Sequence, residues 1–192
     1  MRKLLLPLLL LTLTMARPVT AQERSIDTSG SKLIVRAYKT GLFSGFADNH
    51  EIEAPITQGS IDESAGRVKF RVETKRMKVL DPHIKPERRQ EIQERMLGPD
   101  VLDMTRFPEI TFESSSVERP SQGTFVVHGQ LSLHGVTRPI VVNVRSENGS
   151  YNGKVALKQR EFSIEPISIA GGTVKVKDEL QIEFDIRSSS SP

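Results

Sequence analysis

The sequence contains no cysteine in its 192 residues. Disulfide bonds, thiolate metal ligands, a thiol nucleophile and a cysteine-linked lipid anchor are therefore all excluded. A secreted chain of this length does not need disulfides, because its core is large enough to stabilise the fold without them. The length also fits a single domain.

Polar aromatic side chains are scarce as well. There is no tryptophan, and there are two tyrosines against eight phenylalanines. A pocket built from these residues would be strongly apolar and would offer few hydrogen-bonding groups to a ligand. Such a pocket suits a long hydrocarbon better than a polar metabolite.

An excess of basic residues is confined to the N-terminal segment. Residues 1–21 hold three of the 27 basic residues and none of the 24 acidic ones, so the rest of the chain carries 24 of each. The remaining basic residues are interleaved with acidic ones and form no basic patch in the sequence. We therefore expect no nucleic-acid partner.

Catalytic and cofactor motifs are also absent. The sequence has no nucleophile elbow, phosphate-binding glycine loop, dinucleotide fingerprint or zinc-binding histidine pair. His128 and His134 share a strand face but stand about 20 Å apart at ~3.3 Å per residue, too far for one metal ion. His50, with Asp48 or Glu51 beside it, is the candidate for a metal site or an acid–base pair. The main expectation is a protein that is not an enzyme and needs no cofactor or metal.

The N-terminal segment has the three parts of a secretory signal peptide. Two basic residues precede an apolar run over residues 4–15, and Val19 and Ala21 then occupy the −3 and −1 positions of a cleavage site. The apolar run is shorter than the roughly 20 residues that a membrane-spanning helix needs. We therefore expect residues 1–21 to be a cleaved signal peptide, with a periplasmic product that has no stable membrane anchor.

Alternation of apolar and polar residues dominates the rest of the chain. In the last segment, Ile182 and Phe184 point one way while Glu183 and Asp185 point the other. A period of two is typical of strands in an antiparallel sheet with one buried face. The same pattern recurs along the chain and defines a set of inward side chains. These residues are Leu33, Val35, Phe70, Val72, Ile110, Phe112, Phe125, Val127, Leu131, Leu133, Ile140, Val142, Val155, Leu157, Ile182 and Phe184.

One helix interrupts the strands. Pro86 suits a first helical position and Gly98 begins a stop signal, so the sequence predicts a helix over about residues 86–97. The prediction for the whole chain is one all-β domain over residues 22–187, followed by a disordered polar tail over residues 188–192.

The strand pattern leaves two architectures open, a β-sandwich and a closed barrel. Both contain alternating strands joined by tight turns. Asn148-Gly149 and Asn152-Gly153 are both hairpin signals, and either pair is able to make the turn between two of the strands. A barrel of about eight strands has room for one small ligand inside.

Four segments carry a resemblance to a known family. Residues 129–140 read GQLSLHGVTRPI, residues 107–114 read FPEITFES, residues 160–164 read REFSI and residues 174–180 read VKVKDEL. Together they resemble the YceI-like, polyisoprenoid-binding family of bacterial secreted proteins. The chain departs from the family's usual helix segment over residues 89–103, where a histidine and a pair of phenylalanines are missing.

The resemblance implies an eight-stranded antiparallel lipocalin-like barrel with one inserted α-helix. It also implies a tunnel that holds a long polyisoprenoid, such as the tail of an isoprenoid quinone. The inward side chains would then be the ligand contacts. Transport, storage and protection against stress are all compatible with such a ligand.

A structural or partner-binding β-domain is the main alternative. Its core would be filled by its own side chains, and the same alternation would appear in its strands. The sequence pattern does not separate a filled core from a tunnel, nor does it indicate an oligomeric state.

The signal peptide leads to a direct test. We expect the mature protein recovered from the cell envelope to begin at Gln22, because Val19 and Ala21 follow an apolar core of signal-peptide length. Intact mass and N-terminal sequencing measure this. Envelope material that retains Met1 would contradict it.

Overall fold

The computed structural model describes residues 23–41, 49–169 and 174–189. The predicted signal peptide lies outside the described residues, so it stays a prediction. In the described part of the chain, no helical segment has the length and hydrophobicity that a transmembrane span requires.

The described residues form one antiparallel β-sheet and one α-helix. The helix α1 spans Pro86–Leu97, as the sequence predicted. The strands are β1 Arg24–Ser25, β2 Lys32–Thr40, β3 His50–Glu53, β4 Ile56–Asp62, β5 Arg67–Glu73, β6 Lys78–Val79, β7 Glu109–Ser121, β8 Thr124–Leu133, β9 Val136–Glu147, β10 Ser150–Lys158, β11 Ser168–Ile169 and β12 Val174–Arg187. They pair in the order β1-β4-β5-β7-β8-β9-β10-β12-β2-β3-β6, with β11 beside β12.

The segment from β3 to β4 bends the sheet into a barrel. The first half of this segment, β3, pairs with β2, and the Ala54 amide still donates to Leu33 O at 2.9 Å. After Pro55 the chain changes partner, and Ile56 stands opposite Val72 of β5. One continuous sheet that curls in this way is a barrel, not a sandwich of two sheets.

The expected count of eight strands is not confirmed. Among the described residues there are twelve strands, of which β1, β6 and β11 have two residues each. Alternation along the sequence shows which face of the sheet each residue occupies, but it does not show which strand is its partner. Bends and short strands therefore cannot be counted from the alternation alone.

Both ends of the described chain meet in the sheet. Ile26 forms a bridge with Ser188, Asp27 N donates to Arg187 O at 2.8 Å, and Ser189 N donates to Ser25 O at 2.8 Å. The backbone groups of the first two residues of the predicted tail therefore pair with the N-terminal segment, while disorder of the tail as a whole stays a prediction. The last three residues lie outside the described part.

Tight turns connect the long strands. His134 and Gly135 both have positive φ, and so do Asn148 and Gly149, which is the geometry of a type I′ hairpin turn. The β9–β10 turn is thus at Asn148-Gly149, while the second Asn-Gly pair lies within β10.

Inward glycines make room for phenylalanine rings in the wall. Gly153 faces Phe184 across β10 and β12, and a Cβ atom on Gly153 would lie 2.6 Å from the Phe184 Cζ atom. Likewise, a Cβ atom on Gly129 would lie 2.4 Å from the Phe112 Cζ atom. The rings therefore lie against backbone on the barrel's inner face.

Two neighbouring valines on β9 test the assignment of faces. Val142 is 7% exposed and points inward, whereas Val141 is 52% exposed and points outward. We expect Val142→Asp to destabilise the protein by about 3 kcal/mol or more, because a carboxylate would lose its hydration without gaining a partner. Val141→Asp, the matched control, should stay within about 0.5 kcal/mol of wild type. Denaturant unfolding measures both, and equal losses would contradict the assignment.

Candidate functional site

The barrel encloses a cavity of about 530 Å³. Its wall is predominantly apolar and receives side chains from the long strands and from α1. All sixteen inward residues predicted from the sequence line this cavity: Leu33, Val35, Phe70, Val72, Ile110, Phe112, Phe125, Val127, Leu131, Leu133, Ile140, Val142, Val155, Leu157, Ile182 and Phe184. Their role as ligand contacts stays a prediction.

Further apolar side chains that the sequence reasoning did not include complete the wall. Some, such as Ala37, Val68 and Ile186, belong to the same alternating runs and carried the same signal. Others come from β3, β6 and the segment after α1, where strands are too short to show a period. The additional apolar wall includes Ala37, Ile52, Ala54, Ile61, Val68, Met77, Val79, Ile92, Met96, Val101, Leu102, Val117, Val144, Ile164, Ile167, Val174, Val176, Leu180 and Ile186.

Strand directions divide the polar lining into two groups. The turns β4–β5, β7–β8 and β9–β10 lie at one end of the barrel, which we call the hairpin end. The β8–β9 turn and α1 lie at the other, which we call the helix end. The polar side chains of the cavity belong to these two ends, and the wall between them is apolar, as the scarcity of polar aromatic residues predicted. They are Asp62, Glu63, Arg67, Arg119 and Tyr151 at the hairpin end and Lys39, His50, Arg88, Glu91, Arg95, Gln159 and Lys175 at the helix end.

The hairpin end is organised around the Glu63 carboxylate. Its Oε1 atom accepts hydrogen bonds from the Tyr151 hydroxyl and from the Arg24 guanidinium. Arg119 donates to the Glu63 backbone oxygen, and Arg67 donates to Asp62 at 3.3 Å. The charged groups of this end thus satisfy one another.

Tyr151 is buried under this cluster with 9% of its surface exposed. Burial, followed by the hydrogen bond to Glu63 and that carboxylate's charge, raises the pKa of Tyr151 to about 12. The phenol is therefore neutral and donates a hydrogen bond to the Glu63 carboxylate across the physiological pH range.

At the helix end, Gln93 joins α1 to the barrel through two hydrogen bonds. Gln93 Nε2 donates to Met77 O at 2.8 Å, and Gln93 Oε1 accepts from Val79 N at 2.7 Å. Met96 is buried on the same side of the helix, and Ile92 packs against the core. This attachment places a helix face with Arg88 and Arg95 along the cavity.

His50 has a different partner from those considered in the sequence. Its Nδ1 atom lies 2.7 Å from Asp81 Oδ2, and Asp81 is 1% exposed. Asp81 Oδ1 also accepts the Glu51 amide at 2.8 Å, while the Glu51 carboxylate pairs with Arg36. The candidate pairing of His50 with Glu51 is therefore not formed, because alternation along β3 turns the two side chains to opposite faces. The other candidate partner, at position 48, lies outside the described residues.

Two of the other histidines have separate partners. His128 Nε2 lies 3.0 Å from Glu118 Oε1, and His134 Nδ1 lies 3.2 Å from Phe162 O. Within the described ranges, no group of three or more histidine, cysteine or acidic residues has the geometry of a metal site.

Fold and site together define an antiparallel β-barrel that encloses an apolar cavity, with its polar side chains at the two ends. The family model for the YceI-like domain matches residues 20–188. The chain belongs to the YceI-like family.

Curated relatives agree with this assignment. A UPF0312 protein of Shewanella oneidensis is 26% identical over 164 residues, which cover 76% of this chain and 78% of that protein. A UPF0312 protein of Azotobacter vinelandii is 34% identical over 76 residues, which cover 34% of this chain and 40% of that protein. The chain thus matches less than half the length of the second relative.

Solved structures show the same fold at low sequence identity. BcnA of Burkholderia cenocepacia has a TM-score of 0.66 at 18% identity, over 86% of this chain and 99% of that one. A mutant YceI protein of Campylobacter jejuni has a TM-score of 0.52 at 11% identity, over 100% of both chains. At such identities the likeness concerns the fold alone.

The raised pKa of Tyr151 predicts how stability depends on pH. The phenol ionises in the unfolded chain near pH 10 but in the folded protein only near 12, so the folded state loses stability as pH rises through this window. Between pH 10 and 12, the free energy of unfolding should fall by up to about 1.4 kcal/mol per pH unit more in wild type than in Tyr151→Phe. Urea unfolding of both proteins across this range measures the difference. Parallel curves would contradict the prediction.

Proposed function

We propose that the protein is a non-catalytic periplasmic binding protein that holds a long isoprenoid lipid in its barrel. The observation that carries the proposal is the cavity of about 530 Å³ with its apolar wall. This volume falls in the range of about 300–1,000 Å³ typical of small-molecule sites. Family membership supports an isoprenoid, such as a polyisoprenoid or the tail of an isoprenoid quinone, as the ligand.

The energetics of an empty barrel also favour an occupant. At about 24 cal/mol per Å³ of unfilled cavity, an interior of this size would cost on the order of 10 kcal/mol. That cost is comparable with the whole stability of a typical domain, about 5–15 kcal/mol. Water fills an apolar cavity poorly, because it finds few polar partners there. An apolar ligand removes the cost and gains stability from burial.

The shape of the wall supports a chain-like ligand. The long strands β2, β5, β7, β8, β9, β10 and β12 surround the cavity together with the bent segment formed by β3 and β4. A barrel of this size accommodates one small ligand along its axis. The polar groups stand at the two ends, so the middle of the ligand meets hydrocarbon only.

The first test is the mass of the purified protein. Native mass spectrometry of the protein from the envelope should show a bound species, and organic extraction should release an isoprenoid lipid. A protein that carries no lipid, and that takes up none when incubated with polyisoprenoids, would favour a structural domain with a self-filled core.

Ligand length provides a quantitative prediction. Each five-carbon unit gains on the order of 3–4 kcal/mol if each carbon contributes about 0.8 kcal/mol on burial, whereas association costs roughly 4–15 kcal/mol. Quinones that share one ring and carry one, four or eight isoprene units should therefore bind with increasing affinity in the same detergent. A short quinone that binds as tightly as a long one would overturn the proposal.

A pair of tryptophan variants controls this titration. Leu131 is 7% exposed and lines the cavity, so Leu131→Trp should fill part of it and weaken binding of the longest ligand. Val141 is on the outer face, so Val141→Trp should bind like wild type. Equal affinities for the two variants would place the ligand outside the barrel.

A further inference from the structure

The turn between β4 and β5, residues 63–66, lies across the opening at the hairpin end. Glu63 of this turn accepts a hydrogen bond from the Tyr151 hydroxyl of β10. Three strands, β7, β8 and β9, separate β5 from β10 in the sheet. The hydrogen bond therefore crosses the mouth of the barrel instead of running along its wall. We call this turn the lid.

Two further strands contact the same residue of the lid. Arg24 of β1 donates to the Glu63 carboxylate, and Arg119 of β7 donates to the Glu63 backbone oxygen. The Arg119 guanidinium also lies over the ring of Phe125, 5.9 Å from its centroid, and the centroid of that ring is 6.3 Å from that of Tyr151. The contacts that close this end thus converge on Glu63.

The lid has polar contacts with the barrel but no apolar anchor. Among the described residues, none of the lid belongs to the apolar core, whose nearest members on either side are Ile61 and Val68. The side chains of Glu63 and Arg24 are 45% and 35% exposed. Ion pairs and hydrogen bonds at such positions are weak, because water competes for both groups. The lid is therefore attached weakly.

The lid itself is stiff. Asp62, at its base, is 3% exposed, and its Oδ1 atom accepts hydrogen bonds from Ser64 Oγ at 2.7 Å and from Ala65 N at 2.9 Å. Gly66, at the other side, has a φ of 63°, a conformation that favours glycine. A stiff turn with weak attachments opens as one body, by rotation at the ends of β4 and β5.

Apolar side chains line the cavity behind the lid, among them Val117, Phe125 and Val144. Loss of the Glu63 contacts would connect this apolar space with solvent at the hairpin end. We infer that the lid is a gate which Glu63 holds shut, and that the hairpin end is a passage for the lipid. The identity of the cargo rests on the proposed function, whereas the opening of the lid is a property of the barrel itself.

The absence of cysteine from the chain allows single cysteines to report access to the cavity. Val144→Cys reports on the hairpin end, because Val144 is 8% exposed, lines the cavity and lies close to the β9–β10 turn. Leu133→Cys reports on the helix end, because Leu133 lines the cavity and is the last residue of β8. The rate of reaction with a charged, water-soluble methanethiosulfonate measures access to each cysteine.

Substitution of Glu63 should open the hairpin end. Glu63→Ala should accelerate labelling of Val144→Cys about tenfold and that of Leu133→Cys less than about twofold. Tyr151→Phe, which removes only the hydroxyl, should accelerate labelling of Val144→Cys by roughly threefold. Glu147→Ala is the matched control, since it removes the same charge from an exposed position of the neighbouring turn, and it should leave both rates unchanged.

Two labelling results would overturn the inference. The first is an equal rate for Val144→Cys with and without the Glu63 side chain, which would mean that Glu63 does not hold the lid shut. The second is equal acceleration of both cysteines, which would mean that the substitution loosens the whole fold.

Release of a bound lipid tests the passage. Protein loaded with geranylgeraniol is mixed with phosphatidylcholine vesicles, and mass spectrometry follows the lipid that stays bound. Glu63→Ala should release it at least roughly threefold faster than wild type and Glu147→Ala. Faster labelling without faster release would overturn the passage. If wild type binds no geranylgeraniol, the proposed function is overturned, while the labelling rates still confirm or overturn the gate.

Discussion

The cavity depends on the chain from His50 to Asp62, because this segment pairs with two different strands of the sheet. Its first part completes the sheet beside β2, and its second part pairs with β5. Without this change of partner, the inward faces of β2 and β5 would belong to opposite edges of an open sheet. With it, the faces converge and the alternating apolar residues of all the long strands enclose one space.

The cavity wall and the cavity ends have different origins. Repetition along strands produces the wall, and glycines such as Gly153 give it the room for rings such as Phe184. The segments that connect the strands form the two ends of the cavity. Hairpin turns bring Glu63 next to Tyr151 at one end, and α1 places two arginines along the cavity at the other. An apolar middle with polar ends is the arrangement that a ligand with a long tail and a polar headgroup requires. The segment that departs from the family's usual pattern, residues 89–103, contains Arg95, which lines the cavity at the helix end.

Several features were readable in the sequence because they depend on neighbours along the chain. Alternation identified sixteen residues that all line the cavity, and Pro86 with Gly98 bounded the helix. The family, too, was recognisable from short segments on individual strands, such as residues 129–140. Local signals were weaker where strands are brief, so the lining contributed by β3 and β6 was missed.

Other features exist only in the folded molecule. The contact between His50 and Asp81 spans 31 positions and that between Glu63 and Tyr151 spans 88, and neither pair has a local pattern that joins its members. The sequence determined which side chains face inward, since a period of two assigns each residue to a face. Tertiary structure decided that these faces enclose a space and which charges meet at its ends, because both depend on strand partners and connections that bring distant residues together.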